Sequence, residues 1–366
     1  MTSHTLETFQ LGSLIVPRLW IGLWQLSSTA WGSASAAKIR QAMKRHVDHG
    51  YTAFADHYGS AELLFGQLRE TEPPNTVVGT TKWCVFKQTE PTREVVEAAI
   101  RERNTRMRST RVDLLQFHWQ DYSDKGYLTA ARHLRDLQRE GVIANIGLCN
   151  FDTVRTDEIC TELGPDVIVT NQVQFSLIDT RPLHGMADVC TKHKVKLLTY
   201  GTLCGGFLAD AWLDKPEPDP YSGALTPSQR KYLDMILKVW GDWRLFQTLL
   251  ATLRAIADRH DGASVANVAT RWVLDHPFVG AVLVGKVYSS PLSSRISPLH
   301  LRGSRPPFPQ FLSCTRLGVS EHPDDNLNVF RFTLTPHDRA DIDAVLHRSN
   351  ARRLPTLIGD CGAEYR

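Results

Sequence analysis

Residues 113–150 read DLLQFHWQDYSDKGYLTAARHLRDLQREGVIANIGLCN and hold one complete strand–helix–strand unit. The apolar run 113–119 has the length of a strand, 127–140 has helical periodicity, and 143–150 begins another strand. The same alternation extends in both directions. Strands are expected at 19–25, 51–56, 77–83, 113–119, 143–150, 167–174, 195–201 and 278–285, with helices between them, among others at 36–49, 93–107, 127–140 and 264–275. Repeated βα units build a parallel sheet, and eight of them in 366 residues point to an α/β fold, a (β/α)₈ TIM barrel forming a single domain over 1–366. FQLGSLIVPRL, at 9–19, reads as an N-terminal β-hairpin that closes one end of the barrel. The rival fold, an open doubly wound sheet, wants a glycine-rich turn after its first strand, and residues 21–35 contain no G-x-G-x-x-G.

Two stretches break the rhythm. The long loop 201–242 follows the seventh strand, contains KPEPDPYSG, and is placed to cover a substrate pocket lined by Trp212, Tyr221, Tyr232, Trp240 and Trp243, unless these aromatics pack against the barrel instead. Segment 286–315, after the eighth strand, holds seven Ser, five Pro and four Lys/Arg but no acid, so removing it takes the formal charge from +3 to about −1. It has no periodicity and looks foreign to its surroundings.

With 42% apolar and 22% charged residues, the composition is that of a soluble globular protein. A net charge of +3 without a long Lys/Arg run argues against nucleic acid and membrane surfaces, and no apolar stretch approaches a membrane span. The start MTSHTLETFQLGS lacks the basic and apolar regions of a signal peptide. Seven cysteines without a C-x-x-C, and no N-x-S/T sequon, fit reduced thiols in the cytoplasm. No metal is expected: fourteen histidines include no H-E-x-x-H and no cluster with ligand spacing. GAVLVGKV, at 280–287, only imitates a P-loop, since its middle is an apolar strand and Val287 stands where a metal-binding hydroxyl belongs. Cys84 and Cys204 flank site motifs, where a reactive thiol and a small apolar filler are both admissible.

Tyr58, Lys82 and His118 end three successive strands, in DHYG, GTTKW and LLQFHW. Barrel active sites lie at that rim. A phenol, an amine and an imidazole brought together there supply a weak acid, a cation that strengthens it, and a group that orients a carbonyl oxygen. Each residue alone has a structural reading; the three together read as catalytic.

GLWQ, ADHYGSAE, TTKW, DLLQFHW, LQREGVIANIGLCNF, NQVQFSL, LLTYGTLCGG, VANVATRWVL and VSEHPDDNLNVF occur in this order over most of the chain, which thereby resembles the aldo-keto reductase superfamily. The resemblance implies a (β/α)₈ barrel that binds NADPH without a Rossmann domain and reduces a small carbonyl substrate. Tyr58 matches the proton donor, Lys82 the residue that stabilises its phenolate, and His118 the residue that orients the carbonyl. Cys149 and Asn150 align with the pair whose Asn meets the nicotinamide carboxamide, and Gln172 with its second partner. Tyr200 matches the ring that stacks on the nicotinamide, and Gly201 and Leu203 the loop over the pyrophosphate. Arg316 would grip the 2′-phosphate, favouring NADPH over NADH, and Asp325 and Asn326 the adenine end.

The chain departs from the family pattern twice. The family carries an Asp five residues before the Tyr, and here that position is Ala53, as though two residues had been lost from F-D-x-A-D-x-Y-G to leave FADHYG. Asp56 is the nearby upstream carboxylate, but positions three apart on a strand face opposite ways, so it inherits the role only if the backbone rearranges. Segment 286–315 also splits Val284-Gly285 from Arg316, at the arm for the adenosine phosphate. It reads as a translated, unspliced intron; if it belongs to the protein, a disordered rim loop with weaker NADPH binding is expected. Three outcomes stay open: an NADPH-dependent reductase of aldehydes or ketones, a cofactor-binding protein of the same fold with little turnover, like the potassium-channel β subunits, and a nonfunctional product of a faulty gene reading.

Overall fold

In the computed structural model, residues 6–27, 34–55, 59–285 and 323–366 are described. Two antiparallel strands come first, β1 (Thr8–Leu11) and β2 (Leu14–Pro17). Eight parallel strands follow: β3 (Leu19–Gly22), β4 (Ala53–Ala55), β5 (Val78–Val85), β6 (Val112–Trp119), β7 (Ile143–Cys149), β8 (Ile168–Gln174), β9 (Lys196–Tyr200) and β10 (Val279–Val284). They close as a barrel, with β10 pairing both β3 and β9. This is the (β/α)₈ fold expected from the alternation, and each predicted strand falls on an observed one.

Helices alternate with the strands: α1 (Ala36–Asp48), α2 (Ser60–Arg69), α3 (Arg93–Arg106), α4 (Gly126–Arg139), α5 (Thr153–Leu163) and α6 (Met186–His193). Beyond β9 come α7 (Pro227–Asp234), α8 (Trp243–Arg259) and α9 (Val265–Leu274), and beyond β10 come α10 (Pro323–Leu327), α11 (Pro336–Leu346) and α12 (Leu354–Ile358). Among the described residues, no helix is long and apolar enough to cross a membrane.

The opening unit shows why the sequence folds this way. On β6 the side chains alternate: Leu114, Gln116 and His118 face the barrel interior, while Leu115, Phe117 and Trp119 pack under the helices. Both faces are buried, so the strand reads as a nearly unbroken apolar run. On α4, Tyr127, Ala130, Ala131, Leu134 and Leu137 share one buried face at helical spacing. Phe117 is fully buried among other rings, and truncating it to Ala would cost about 3–5 kcal/mol.

The hairpin closes the amino-terminal end of the barrel. Leu11, Val16 and Trp20 join Leu114, Leu198 and Ala281 in the interior core. Ser13 N–H donates to Asn145 Oδ1 at 3.2 Å, and Asn145 Nδ2 donates to Asp113 O at 2.9 Å. Gly12 lies at φ 51° with Asn145 Oδ1 where a Cβ would stand, so this turn demands glycine.

Two boundaries depart from expectation. The first strand ends at Gly22, and Trp24–Ser27 coil into a 3₁₀ turn. The loop 201–242 is not irregular throughout. Thr226 caps α7 through a reciprocal pairing with Gln229, with Pro227 in the first turn. Segment 286–315 lies outside the described residues.

Candidate active site at the carboxyl ends of the strands

Adjacent strands set Lys82 and His118 side by side. In register, Lys82 of β5 lies opposite Gln116 of β6, and Cys84 opposite His118. Both side chains point inward and are buried, with Lys82 9% and His118 2% exposed. His118 Nδ1 lies 2.9 Å from Cys149 O. A carbonyl only accepts, so Nδ1 carries the proton, and the neutral ring turns a bare Nε2 lone pair into the site. That Nε2 is buried and has no partner among the described residues. Burial brings the imidazole pKa down to about 4, with Arg366 and Lys82 adding to the effect against the Cys149 hydrogen bond.

The next strand ends supply amides and a phenol. Asn150, just past β7, sits at φ 59°, a left-handed conformation that Asn tolerates better than most residues. The turn lets its N–H donate to Gln172 O at 2.9 Å while its Oδ1 accepts from the Tyr200 hydroxyl at 3.0 Å. Gln172, on β8, lies with Oε1 3.8 Å from Cys149 Sγ, and its Nε2 is buried with no partner among the described residues. Gly201 follows Tyr200 at φ 70°, where a Cβ would fall 2.1 Å from the Tyr232 hydroxyl. Leu203 is buried at the entry to the tight turn Cys204–Gly206. Lys82, His118, Cys149, Asn150, Gln172, Tyr200, Gly201 and Leu203 thus share one end of the barrel.

A segment that sequence reasoning missed lies over them. Arg181 is 2% exposed and donates to Asp179 Oδ2 at 2.7 Å, to Glu364 Oε2 at 2.8 Å and to Asp360 O at 3.0 Å. Burial opposes ionisation of Glu364, but Arg181 outweighs it and holds the carboxyl below its ordinary pKa. Glu364 Oε1 and the Tyr365 hydroxyl stand 3.3 and 3.4 Å from the Tyr200 hydroxyl. The Tyr365 ring meets the His118 ring edge-on at 6.1 Å. Arg366 donates to Asn150 O and to the Tyr122 hydroxyl, with its guanidinium 4.0 Å above the Tyr122 ring. Lys231 of α7 lies between three rings, 5.4 Å from Tyr232, 5.5 Å from Tyr365 and 5.8 Å from Tyr200. The closing CGAEYR offers three polar and aromatic side chains in a row, but no periodicity tied them to strands more than 150 residues earlier.

Other expected residues fall elsewhere. Tyr58, Asp56 and Arg316 lie outside the described residues. Ala53 faces the barrel interior, as does Ala55, so the described inward positions of β4 carry methyl groups and no carboxylate. Asp325 and Asn326 lie apart from the strand ends, on α10 against the start of α9, where Asn267 donates to Asp325 O at 2.9 Å and Tyr51 donates to Pro323 O at 2.7 Å. Of the loop aromatics, Trp240 and Trp243 are core residues, Trp212 packs 4.6 Å from Phe207, and Tyr221 is 93% exposed. Apart from the exposed Tyr221 they pack rather than line a common pocket, and of the five only Tyr232 reaches the site. Cys204 is fully buried, which pushes its thiol pKa up to about 12 and makes it a core filler. A cleft of about 450 Å³ at the opposite end is lined by Glu7, Arg18, Arg271 and Asp275. Those charges satisfy one another, Arg18–Glu7 at 3.0 Å and Arg271–Glu7 at 2.6 Å.

Comparison with known proteins gives a consistent picture. A model described as the aldo/keto reductase family matches residues 18–299. The aldo-keto reductase YhdN of Bacillus subtilis is 25% identical over 286 residues, 73% of this chain and 80% of that protein. Flagellar radial spoke protein 5 of Chlamydomonas reinhardtii is 30% identical over 181 residues, 45% of this chain but 33% of its own length. Among solved structures, the glycerol dehydrogenase of Gluconobacter oxydans superposes with a TM-score of 0.69 at 21% identity, covering 95% of this chain and 96% of that one. An aldo-keto reductase of Klebsiella pneumoniae in complex with NADPH gives 0.64 at 18% identity, covering 94% and 96%.

Proposed function

Since the chain belongs to the aldo/keto reductase family, we propose that it reduces an aldehyde or ketone to the alcohol with NADPH, in the cytoplasm. The observation that carries this reading is the buried pair Lys82 and His118 in the carboxyl-terminal halves of adjacent strands, Lys82 three residues before β5 ends. Tyr58 gives its proton to the carbonyl oxygen, and Lys82 holds the resulting phenolate by its positive charge. His118, protonated at Nδ1, offers Nε2 as an acceptor to the hydroxyl of the product alcohol once Tyr58 has given up its single proton. Gln172 fits the cofactor's amide end because its buried Nε2 donor lacks a partner among the described residues. Asn150 and Tyr200 flank it, Arg316 would take a 2′-phosphate, and Asp325 and Asn326 an adenine. NADPH, when bound there, supplies the hydride.

A second reading, cofactor binding with little turnover, draws support from Ala53, a methyl group at the position where the family pattern has an Asp. Asp56 is then the remaining candidate for that role. Following NADPH absorbance with a panel of aldehydes and quinones separates the two readings. The reductase reading requires turnover that falls at least about a hundredfold in Tyr58→Phe and in Lys82→Met. Cofactor binding without turnover on any carbonyl would leave the second reading standing. We further propose that 1–366 is one domain interrupted by a foreign segment at 286–315, a retained intron; a transcript carrying that segment as coding sequence in every tissue or growth condition sinks the intron origin.

A further inference from the structure

We infer that Gly362–Arg366 together with Lys231 form a tethered occupant of the cofactor's nicotinamide end, which NADPH must displace to bind. This rests on the reading above, in which Asn150, Gln172 and Tyr200 hold that end. The Asn150 carbonyl and Oδ1 and the Tyr200 hydroxyl are already engaged. The Asn150 carbonyl accepts from Arg366, and its Oδ1 accepts from Tyr200. Gly362 is pressed so close that a Cβ there would fall 2.1 Å from Asn150 O. The Tyr200 hydroxyl is surrounded by Glu364 and Tyr365, and the Lys231 ammonium stands over its ring. A flat heterocycle stacked on Tyr200 needs the place that Lys231 holds. The nicotinamide ring turns cationic when it gives up hydride, so an ammonium and the oxidised ring repel each other there.

Glu364 is the residue that keeps this arrangement together. Its carboxylate is paired with Arg181, which is fixed independently by Asp179. It also lies near the ammonium of Lys231, which the Tyr365 ring covers from another side. Once Glu364 and Tyr365 leave, Arg181 keeps its Asp179 partner while Lys231 loses the nearer influence of one anion, Asp179 remaining, and one ring. The side chain of Glu364 is 24% exposed and Tyr365 is 36% exposed, so the segment lies on the rim as a lid and can lift without opening the core. Such a lid lowers apparent affinity in proportion to the time it stays closed.

The test uses the full chain. NADPH affinity is measured by fluorescence titration in the wild type, in Glu364→Gln, and in Glu364→Gln with Tyr365→Ser, while hydrogen exchange follows the amides of 361–366 with and without NADPH. The lid predicts tighter binding, about threefold in the single and about tenfold in the double variant. It also predicts faster exchange of 361–366 when NADPH is added. Unchanged or weaker affinity, with exchange constant or slowed by the cofactor, overturns the lid and leaves the cofactor assignment intact. If neither wild type nor double variant binds NADPH, the cofactor assignment itself fails and the lid falls with it.

Discussion

At the residue scale, His118 is the side chain whose protonation state decides most. Its Nδ1 is committed to Cys149 O, so below neutrality a second proton must go onto a buried Nε2. With a pKa near 4, the ring stays neutral from pH 8 down to pH 5, and the reductase activity should show no limb near pH 6.5, the ordinary value for histidine. His276, also buried, is depressed to about 4 as well, by burial and then by Arg339. Both folded values lie below the unfolded one. The unfolded chain therefore takes up more protons between pH 6.5 and 4, and stability falls as pH drops through that window. The full effect is about 3 kcal/mol per histidine at pH 4. Urea midpoints at pH 7 and pH 4.5 measure it, and His276→Gln should flatten part of the slope. Lys82 and His118 were legible in the sequence because strand-end position is a local property. Glu364 and Tyr365 were not, since their partners Arg181 and Tyr200 are brought close only by closure of the barrel.

At the scale of elements, the turn after β9 concentrates several demands. Gly201 needs a left-handed conformation and also leaves space for the Tyr232 hydroxyl. Gly201→Ala should therefore destabilise the fold by about 2–4 kcal/mol. Adding Tyr232→Phe removes the clashing oxygen and should recover part of that loss while leaving the backbone strain. Thermal melts of the single and double variants test this; equal melting of both would show that the hydroxyl is not the obstacle. The buried strands and amphipathic helices of the barrel could be read from their periodicity. Helix α7 could also have been read, because Thr226-Pro227-Ser228-Gln229 is a capping sequence, but the aromatics around it suggested a pocket wall. Trp240 and Trp243 instead bury themselves in the core, as large apolar side chains do when a helix offers them one. The three-residue β4 was hardest to bound, since two of its residues are alanine and carry little strand signal.

For the whole molecule, the barrel joins its own ends, with β10 beside β3, while α10 follows segment 286–315. If 286–315 is foreign, as proposed above, deleting it should leave a single cooperative unfolding transition and tighten NADPH binding, because it brings Arg316 next to Gly285 in the chain. Calorimetry and cofactor titration of the shortened chain check both; a broadened transition or weaker binding would mean that the segment is integral to the fold. The hairpin at the opposite end has a kinetic consequence. Leu11, Val16 and Trp20 fill the floor, and Ser13 is clasped to Asn145. Through the described residues the hairpin fills that end of the barrel, so on the reductase reading proposed above cofactor and carbonyl would share the upper rim. Two molecules using one doorway must queue: the one that lies deeper arrives first and departs last, and its successor blocks its exit. On that reading, the order of events at the strand ends would be imposed by a turn that touches neither molecule.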